Sequence, residues 1–84
     1  MDQPVASQML LSRVPIGAKG RIATIGGGSA LHLRLLGLGL RVGSEVEILH
    51  HRGRGVVVAT AGTRIALGGG VADKLVLEPL PQPA

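Results

Sequence analysis

The sequence predicts a mainly β fold, a small barrel of about five strands with one inserted α-helix and short helical turns. Short segments of alternating apolar and polar residues recur along the chain, as expected of strands that bury one face. Glycine-rich breaks separate these segments and are typical of turns and hairpins. A leucine-rich segment between residues 29 and 39 has helical spacing instead. A closed barrel explains how so short a sheet avoids exposed strand edges.

Length and composition favour one small domain with an aliphatic core. The chain has 84 residues, 45% of them hydrophobic, and it contains neither aromatic residues nor cysteine. It is long enough for one modest core, which must be built from Leu, Val, Ile and Ala. Without aromatic side chains it cannot offer the stacking platforms of single-strand nucleic-acid binders. Without cysteine it has no disulfides and no thiolate metal sites.

Charge and hydropathy predict a soluble cytoplasmic protein. The formal net charge is +4, but the nine Lys and Arg residues are scattered, which favours a solvated surface over a nucleic-acid interface. No apolar run approaches the roughly 20 residues that a membrane-spanning helix needs, so no membrane insertion is expected. The N-terminal segment has Asp2 and no basic region, which disfavours a signal peptide.

The predicted folded domain, residues 9–78, lies between a flexible N-terminus (1–8) and a Pro-rich tail (79–84). Its first strand starts at Met9 and ends in a turn at Pro15. Residues 19–25 alternate in polarity, which places Ile22 and Ile25 on opposite faces of a strand. The other predicted elements are strands at 45–51, 56–59, 63–67 and 75–78, a hairpin turn around 60–62, and one helical turn at 71–74.

The inserted helix has clear start and stop signals. Ser29 suits the N-cap, because its hydroxyl can accept a hydrogen bond from a free N–H of the first turn. Gly39 suits the left-handed position that ends a helix, and Leu40 can then fold back onto Leu35. A tight turn containing Gly43 follows.

The leucines of this helix fall on two sides. At about 100° per residue, Leu31, Leu35 and Leu38 form one stripe, which we expect to face the barrel. Leu33 and Leu36 lie on the other side. Because a helix packed on a small sheet can bury only one stripe, the second side is a candidate contact for a partner. The alternative is that Leu36 also fills the core and that Leu33 is a single exposed leucine, which is common.

Two motifs invite a chemical interpretation. Residues 26–28 are Gly-Gly-Gly between a strand and a helix, and helix N-termini can bind phosphate. However, Leu31 replaces the third glycine of the dinucleotide fingerprint and no Lys-Ser/Thr pair follows, which favours a flexible connector. His50 and His51 are adjacent, but neighbouring side chains of a strand point to opposite faces, so the two imidazoles cannot coordinate the same metal ion. Metal bound at His50 or His51 is therefore expected to be adventitious.

The pattern of serines and carboxylates gives no catalytic constellation. The serines have turn or cap roles, and none stands with a histidine and a carboxylate in a recognisable triad spacing. Glu45 and Glu47 share a strand face and are expected to be solvated rather than to form an acid–base pair. We therefore predict that the protein is not an enzyme and has no cofactor.

Several motifs occur in an order that carries a family resemblance. The most specific is Leu-Leu-Gly-Leu-Gly-Leu at 35–40, followed by Val-Gly-Ser-Glu-Val at 42–46. Pro-Ile-Gly at 15–17 and Gly-Arg-Ile at 20–22 precede it, and Leu-Val-Leu-Glu at 75–78 follows. This order resembles the FeoA family, small proteins of bacterial ferrous iron uptake. The resemblance implies an SH3-like β-barrel with an inserted helix. It also implies a cytoplasmic accessory to FeoB, the membrane permease that carries a GTP-binding domain.

The leading hypothesis is an adaptor that docks on FeoB, or on a second copy of itself, and modulates transport by protein contact. The residues assigned to this contact are Leu33, Arg34, Leu36 and Leu40. A second hypothesis is a regulatory module that senses ferrous iron, a divalent metal bound where His32, His50 or His51 meets a carboxylate. A third is nucleic-acid binding through exposed arginines, which the scattered charge disfavours.

Overall fold

The computed structural model describes residues 8–80. Residues 1–7 and 81–84 lie outside the described part, and with them most of the predicted flexible N-terminus (1–8) and Pro-rich tail (79–84). The elements are β1 (Met9–Leu10), a 3₁₀ turn (Leu11–Arg13), β2 (Lys19–Ile25), α1 (Ser29–Leu38), β3 (Glu45–Arg52), β4 (Gly55–Thr60), β5 (Thr63–Leu67), α2 (Gly69–Ala72) and β6 (Leu75–Pro79). Neither α-helix of the described residues has the length and apolarity required to cross a bilayer.

The strands form one antiparallel sheet in the order β1-β6-β2-β3-β4-β5. This confirms the predicted mainly β, SH3-like class. The described residues contain six strands, and each corresponds to a strand segment located from the sequence. The first of them, β1, has only two residues, because the chain turns at Leu11, which is buried. The predicted closure is wrong for the described residues: β1 and β5 are the two ends of the hydrogen-bonded ladder and do not pair with each other.

One aliphatic core fills the inside of the curved sheet. Every strand from β2 to β6 contributes inward side chains, and the 3₁₀ turn and the two helices add to them. The buried members are Leu11, Val14, Ile22, Ile25, Leu35, Leu40, Val46, Ile48, Val56, Val58, Ile65, Leu67, Ala72, Leu75 and Leu77. No polar or charged residue of the described segment is buried with them, so apolar burial is the main stabilising force.

Two β-bulges correct the predicted strand faces. The register of β2 on β6 shifts between Ile22 and Thr24. Because one extra residue reverses the alternation, Ile25 returns to the core beside Ile22, whereas the sequence placed them on opposite faces. The register of β3 on β4 shifts between Ile48 and His50. As a result His50 lies opposite Val57 on the outer face and is exposed, whereas the alternation of the sequence placed it on the same face as Val46 and Ile48.

The predicted hairpin between β4 and β5 is confirmed. Thr60 pairs with Thr63 across a two-residue turn formed by Ala61 and Gly62. Both turn residues have positive φ, 49° and 80°, as in the type I′ turn that matches the twist of a hairpin. This turn fixes the register of β5 along its whole length.

Residues 26–28 connect β2 to α1 in a conformation that requires glycine. Gly27 and Gly28 have φ values of 88° and 87°, which L side chains rarely adopt. A Cβ on Gly27 would also lie 2.8 Å from both Leu31 Cδ2 and Lys74 Cδ. The Gly26 N–H donates to the carbonyl of Lys74 at 2.7 Å. Turn geometry and close packing account for this glycine run, in agreement with the predicted connector.

A polar cluster around Asp73 ties three loops together at the surface. The Ser12 hydroxyl donates to Asp73 Oδ1 at 2.7 Å, and Arg54 Nη2 lies 3.4 Å from Asp73 Oδ2. These contacts join the 3₁₀ turn, the β3–β4 turn and the residue after α2. The hydrogen bond from Ser12, followed by the charge of Arg54, lowers the pKa of the Asp73 carboxyl from its ordinary value.

Replacing Ser12→Ala should reduce stability in a pH-dependent way. A carboxyl with a lowered pKa in the folded state stabilises the fold above its unfolded pKa, and that stabilisation is lost as the pH falls through the folded value. We expect the wild type to be more stable than the variant at neutral pH and the difference to shrink below about pH 4. Urea denaturation between pH 2 and 7 measures it. Ser29→Ala, at an exposed position, is the control; a Ser12 difference that stays constant down to pH 2 contradicts this role of Asp73.

A glycine pair provides a test of the core packing. A Cβ on Gly20 would lie 2.7 Å from the Glu78 carbonyl oxygen and from Leu77 Cγ, whereas a Cβ on Gly37 meets open space. Gly20→Ala should therefore lower the free energy of unfolding by about 1–3 kcal/mol through overpacking. Gly37→Ala, in the helix interior, should raise it by about 0.5–1 kcal/mol. Chemical denaturation of both variants checks the opposite signs, and equal effects would contradict the packing described for β2 and β6.

Candidate functional site

Helix α1 starts at Ser29, without the predicted side-chain cap. Gly28 occupies the N-cap position and makes no side-chain hydrogen bond, and its carbonyl accepts from the His32 N–H at 3.2 Å. The assignment of Ser29 as N-cap is therefore wrong by one residue. The chain makes its sharp change of direction at Gly27 and Gly28, so the helix has already begun at Ser29.

The other end of α1 agrees with the sequence. Gly39 is left-handed, with φ 92°, and its N–H donates to the Leu36 carbonyl. The N–H of Leu40 donates to the carbonyl of Leu35 at 2.8 Å. This pair of bonds is the Schellman arrangement, and it turns Leu40 inward. Gly43 is also left-handed, with φ 97°, in the predicted tight turn closed by the Ser44 N–H and the Arg41 carbonyl.

Leu40 is a core residue, which corrects its assignment to a partner contact. Its side chain is 0% exposed and packs in the same cluster as Leu35. The Schellman turn that ends the helix at Gly39 buries the next apolar side chain against the barrel. Leu40 therefore anchors α1 and is unavailable to a partner.

Leu33, Leu36 and Leu38 of α1 are exposed, on two sides of the helix. Leu33 is 68% exposed and Leu36 is 52% exposed, so Leu36 does not fill the core. Leu38, which the stripe placed against the barrel, is 48% exposed, and that expectation is wrong. Of the predicted inward stripe, Leu35 is buried and Leu31 is partly buried. The helix packs on the core through Leu31 and Leu35, and the side chain of Leu38 in its last turn lies outside the core.

Val42 is a further exposed apolar residue past the end of the helix. It lies in the turn after Leu40 and is 55% exposed. We call Leu33 and Leu36, which share one side of α1, the apolar helix face; Leu38 lies on the other side of the helix. Arg34 is exposed on the same helix, and α1 contains no acidic residue. Sequence reasoning missed Val42, although an apolar residue at the tip of a Gly-containing turn was an available signal.

A shallow groove borders the apolar helix face. Its volume is about 550 Å³, and Leu36, Gly39, Arg41, Ser44, Glu45, Thr60 and Ala61 line it. The Ser44 hydroxyl accepts from the Arg41 N–H at 3.0 Å, and the Thr60 hydroxyl donates to the Glu45 carbonyl at 2.9 Å. These two bonds hold the groove walls in place. The groove therefore joins the end of α1 to the β4–β5 turn through a fixed surface.

The side chains of the three histidines do not converge on one site. His32 Nε2 lies 2.9 Å from the Ile25 carbonyl, and His51 Nε2 lies 2.6 Å from the Val14 carbonyl. Because a carbonyl oxygen only accepts, Nε2 of each ring carries a proton and donates, which makes these two nitrogens unsuited to bind a metal. His50 and His51 pair with Val57 and Val56 and so point to opposite faces. Within residues 8–80, no three His, Asp or Glu side chains are grouped closely enough to hold an ion.

Comparison with known proteins decides the family. The FeoA domain model matches residues 9–79. The chain belongs to the FeoA family.

Individual relatives agree with this FeoA assignment. The chain is 30% identical over 57 residues to the putative Fe(2+) transport protein A of Methanocaldococcus jannaschii, which covers 68% of this chain and 70% of that protein. The crystal structure of the iron uptake regulatory protein FeoA matches with a TM-score of 0.81 at 28% identity, over 88% of this chain and 100% of that chain. A manganese-dependent transcriptional repressor shares the fold, with a TM-score of 0.79 at 22% identity over 92% of this chain and 44% of that chain.

In this FeoA-family chain, alanine substitutions of His51 and His50 should differ in their effect on the free energy of unfolding. His51→Ala removes the donor to the Val14 carbonyl and should lower the free energy of unfolding by about 1 kcal/mol. His50→Ala, on the exposed outer face, should change it by less than about 0.5 kcal/mol. Denaturant titration of both variants measures the difference. Equal effects of the two substitutions would contradict the structural role given to His51.

Proposed function

We propose that this FeoA-family protein is a cytoplasmic accessory of ferrous iron transport that binds a FeoB-like permease with a GTP-binding domain and modulates its transport. It acts by protein contact and carries out no reaction of its own. The observation that supports this proposal is the apolar helix face, with Leu33 68% exposed and Leu36 52% exposed on one side of α1. Apolar side chains gathered on one surface are typical of protein interaction sites.

The helix is suited to this task because its position is fixed. Leu35 and Leu40 hold its last turn in the core, so the exposed leucines are presented without a conformational change. A preformed surface loses little entropy on binding. Arg34 lies beside the leucines and adds positive charge at the rim of the surface, where charge favours orientation over affinity.

The chain lacks aromatic residues, which restricts the mode of binding. SH3 domains bind proline-rich peptides in grooves lined by aromatic rings. The apolar helix face instead offers aliphatic side chains on a convex surface. We therefore expect it to dock into a hydrophobic groove or pocket of the permease's cytoplasmic part.

Leu33→Glu should weaken binding without affecting the fold. A charge at the most exposed leucine cannot be buried in an apolar interface, so affinity for the purified cytoplasmic part of the permease should fall at least about tenfold. Calorimetry or surface plasmon resonance measures affinity, and thermal melting measures stability. Ile16→Glu is the matched control, because Ile16 is 60% exposed in the turn before β2. An unchanged affinity for Leu33→Glu, or an equal loss for Ile16→Glu, would show that the apolar helix face is not the docking site.

A further inference from the structure

Strand β5 has one hydrogen-bonding edge that faces away from the sheet. Thr60 pairs with Thr63 across the two-residue turn, and Val58 then pairs with Ile65. The residues that close such a turn form a hydrogen-bonded pair, and so does every second pair beyond it. Thr63, Ile65 and Leu67 therefore bond to β4. The N–H and C=O groups of Arg64 and Ala66 point in the opposite direction.

Nothing in the described part of the chain pairs with this edge. β5 is the last strand of the ladder, and the backbone hydrogen bonds outside the ladder involve neither Arg64 nor Ala66. Both residues are exposed, whereas Ile65 and Leu67 are buried and hold the strand in place. A rigid strand with open donors and acceptors is a template for an additional strand.

The surface around β5 is basic. Residues 48–72 contain Arg52, Arg54 and Arg64 but no aspartate or glutamate. Arg54 lies near Asp73, at 3.4 Å, and remains largely exposed. By contrast, Arg21 on the β2–β6 side pairs with Glu78 at 3.4 Å. Among the described residues, Arg52 and Arg64 form no ion pair; Glu47 lies in the same cross-strand row as Arg64, with Ala59 between them.

A hollow lies next to one end of this edge. Its volume is about 590 Å³, and it lies at the start of β4 and the end of β5, where its lining includes Arg52, Arg54, Gly55, Val57 and Ala66. Gly55 and Ala66 have no bulk to obstruct an approaching chain. An extended segment could place its side chains over this hollow while its backbone follows β5.

We propose that β5 is a docking edge for an extended acidic segment of a partner protein, which adds to the sheet as a seventh strand. The open groups of Arg64 and Ala66 bind its backbone, and the arginines select acidic side chains on its outer face. A second copy of the same edge would bring Arg64 of each copy close together, and like charges across a strand pair are unfavourable. The proposal does not rest on the role of the apolar helix face, since it uses none of its residues.

A short synthetic peptide probes this edge directly. The probe is the acetylated, amidated heptapeptide Thr-Val-Glu-Val-Glu-Val-Thr, and the control replaces each Glu by Lys. In the free protein, the amides of Arg64 and Ala66 should exchange with solvent faster than those of Ile65 and Leu67. Adding the acidic peptide should shift and protect the Arg64 and Ala66 amides in NMR spectra. The Lys peptide should bind at least about tenfold more weakly.

Two substitutions separate backbone pairing from charge. Ala66→Pro removes one outward N–H and costs no bond to β4, since proline is tolerated on an edge strand; it should weaken peptide binding about tenfold or more. Ala66→Val is the matched control, keeps the N–H and should bind as the wild type does. Arg64→Glu should reverse the preference between the two peptides. This third variant leaves the backbone unchanged, so it tests the proposal even if Ala66→Pro does not fold.

Several results would overturn the proposal. Equal affinity for the Glu and Lys peptides, spectral shifts on α1 instead of β5, or full binding by Ala66→Pro would each do so. A wild-type dimer in analytical ultracentrifugation that Ala66→Pro dissociates would assign the edge to a second copy. Displacement of the acidic peptide by single-stranded DNA, with steep salt dependence, would assign the basic surface to nucleic acid.

Discussion

The burial of Leu35 and Leu40 at the end of α1 determines which leucines of the helix remain exposed to solvent. The Leu40 N–H bonds to the Leu35 carbonyl, and both side chains lie in the core. This turn fastens a helix that otherwise touches the barrel only through the partly buried Leu31 and His32. Because the anchor lies at one end and on one line of the helix, the neighbouring leucines at 33, 36 and 38 stay outside. The exposed surface is thus a consequence of how the helix ends.

Two glycines allow close approaches between neighbouring strands of the barrel. At Gly20, between β2 and β6, a Cβ would lie 2.7 Å from the Glu78 carbonyl oxygen. At Gly55, beside β5, a Cβ would lie 2.7 Å from the Leu67 carbonyl oxygen. Any side chain at these two positions would force the neighbouring backbone to shift, so glycine is required there by the packing of the strands.

The sequence predicted the features that depend on local chemistry. The predictions failed where one extra residue in a strand, or a contact distant in sequence, determines which side chains are buried. Alternating polarity located β2 to β6, and Gly39 located the end of α1. The bulges in β2 and β3 were not predictable, because nothing in an alternating pattern marks an unpaired residue; they reversed the faces of Ile25 and His50. The predictions for Leu38 and Leu40 were the reverse of their observed burial, for a related reason. Helical periodicity assigned a side to each, but the Schellman turn buried the residue beyond the helix and left the last helical leucine outside.

The two proposed surfaces meet at one groove, and interface size makes this important. A stable protein interface buries about 800 Å² on each partner, whereas two partly exposed leucine side chains offer much less than the few hundred Å² of the largest apolar patch of an ordinary monomer. The apolar helix face alone is therefore too small for tight binding. Leu36 of that face and Ala61, three residues before Arg64, line the same groove. A partner that covers the groove can contact α1 on one side and β5 on the other. Two weak contacts on one rigid body raise each other's effective concentration, which is how a small domain can hold a large partner.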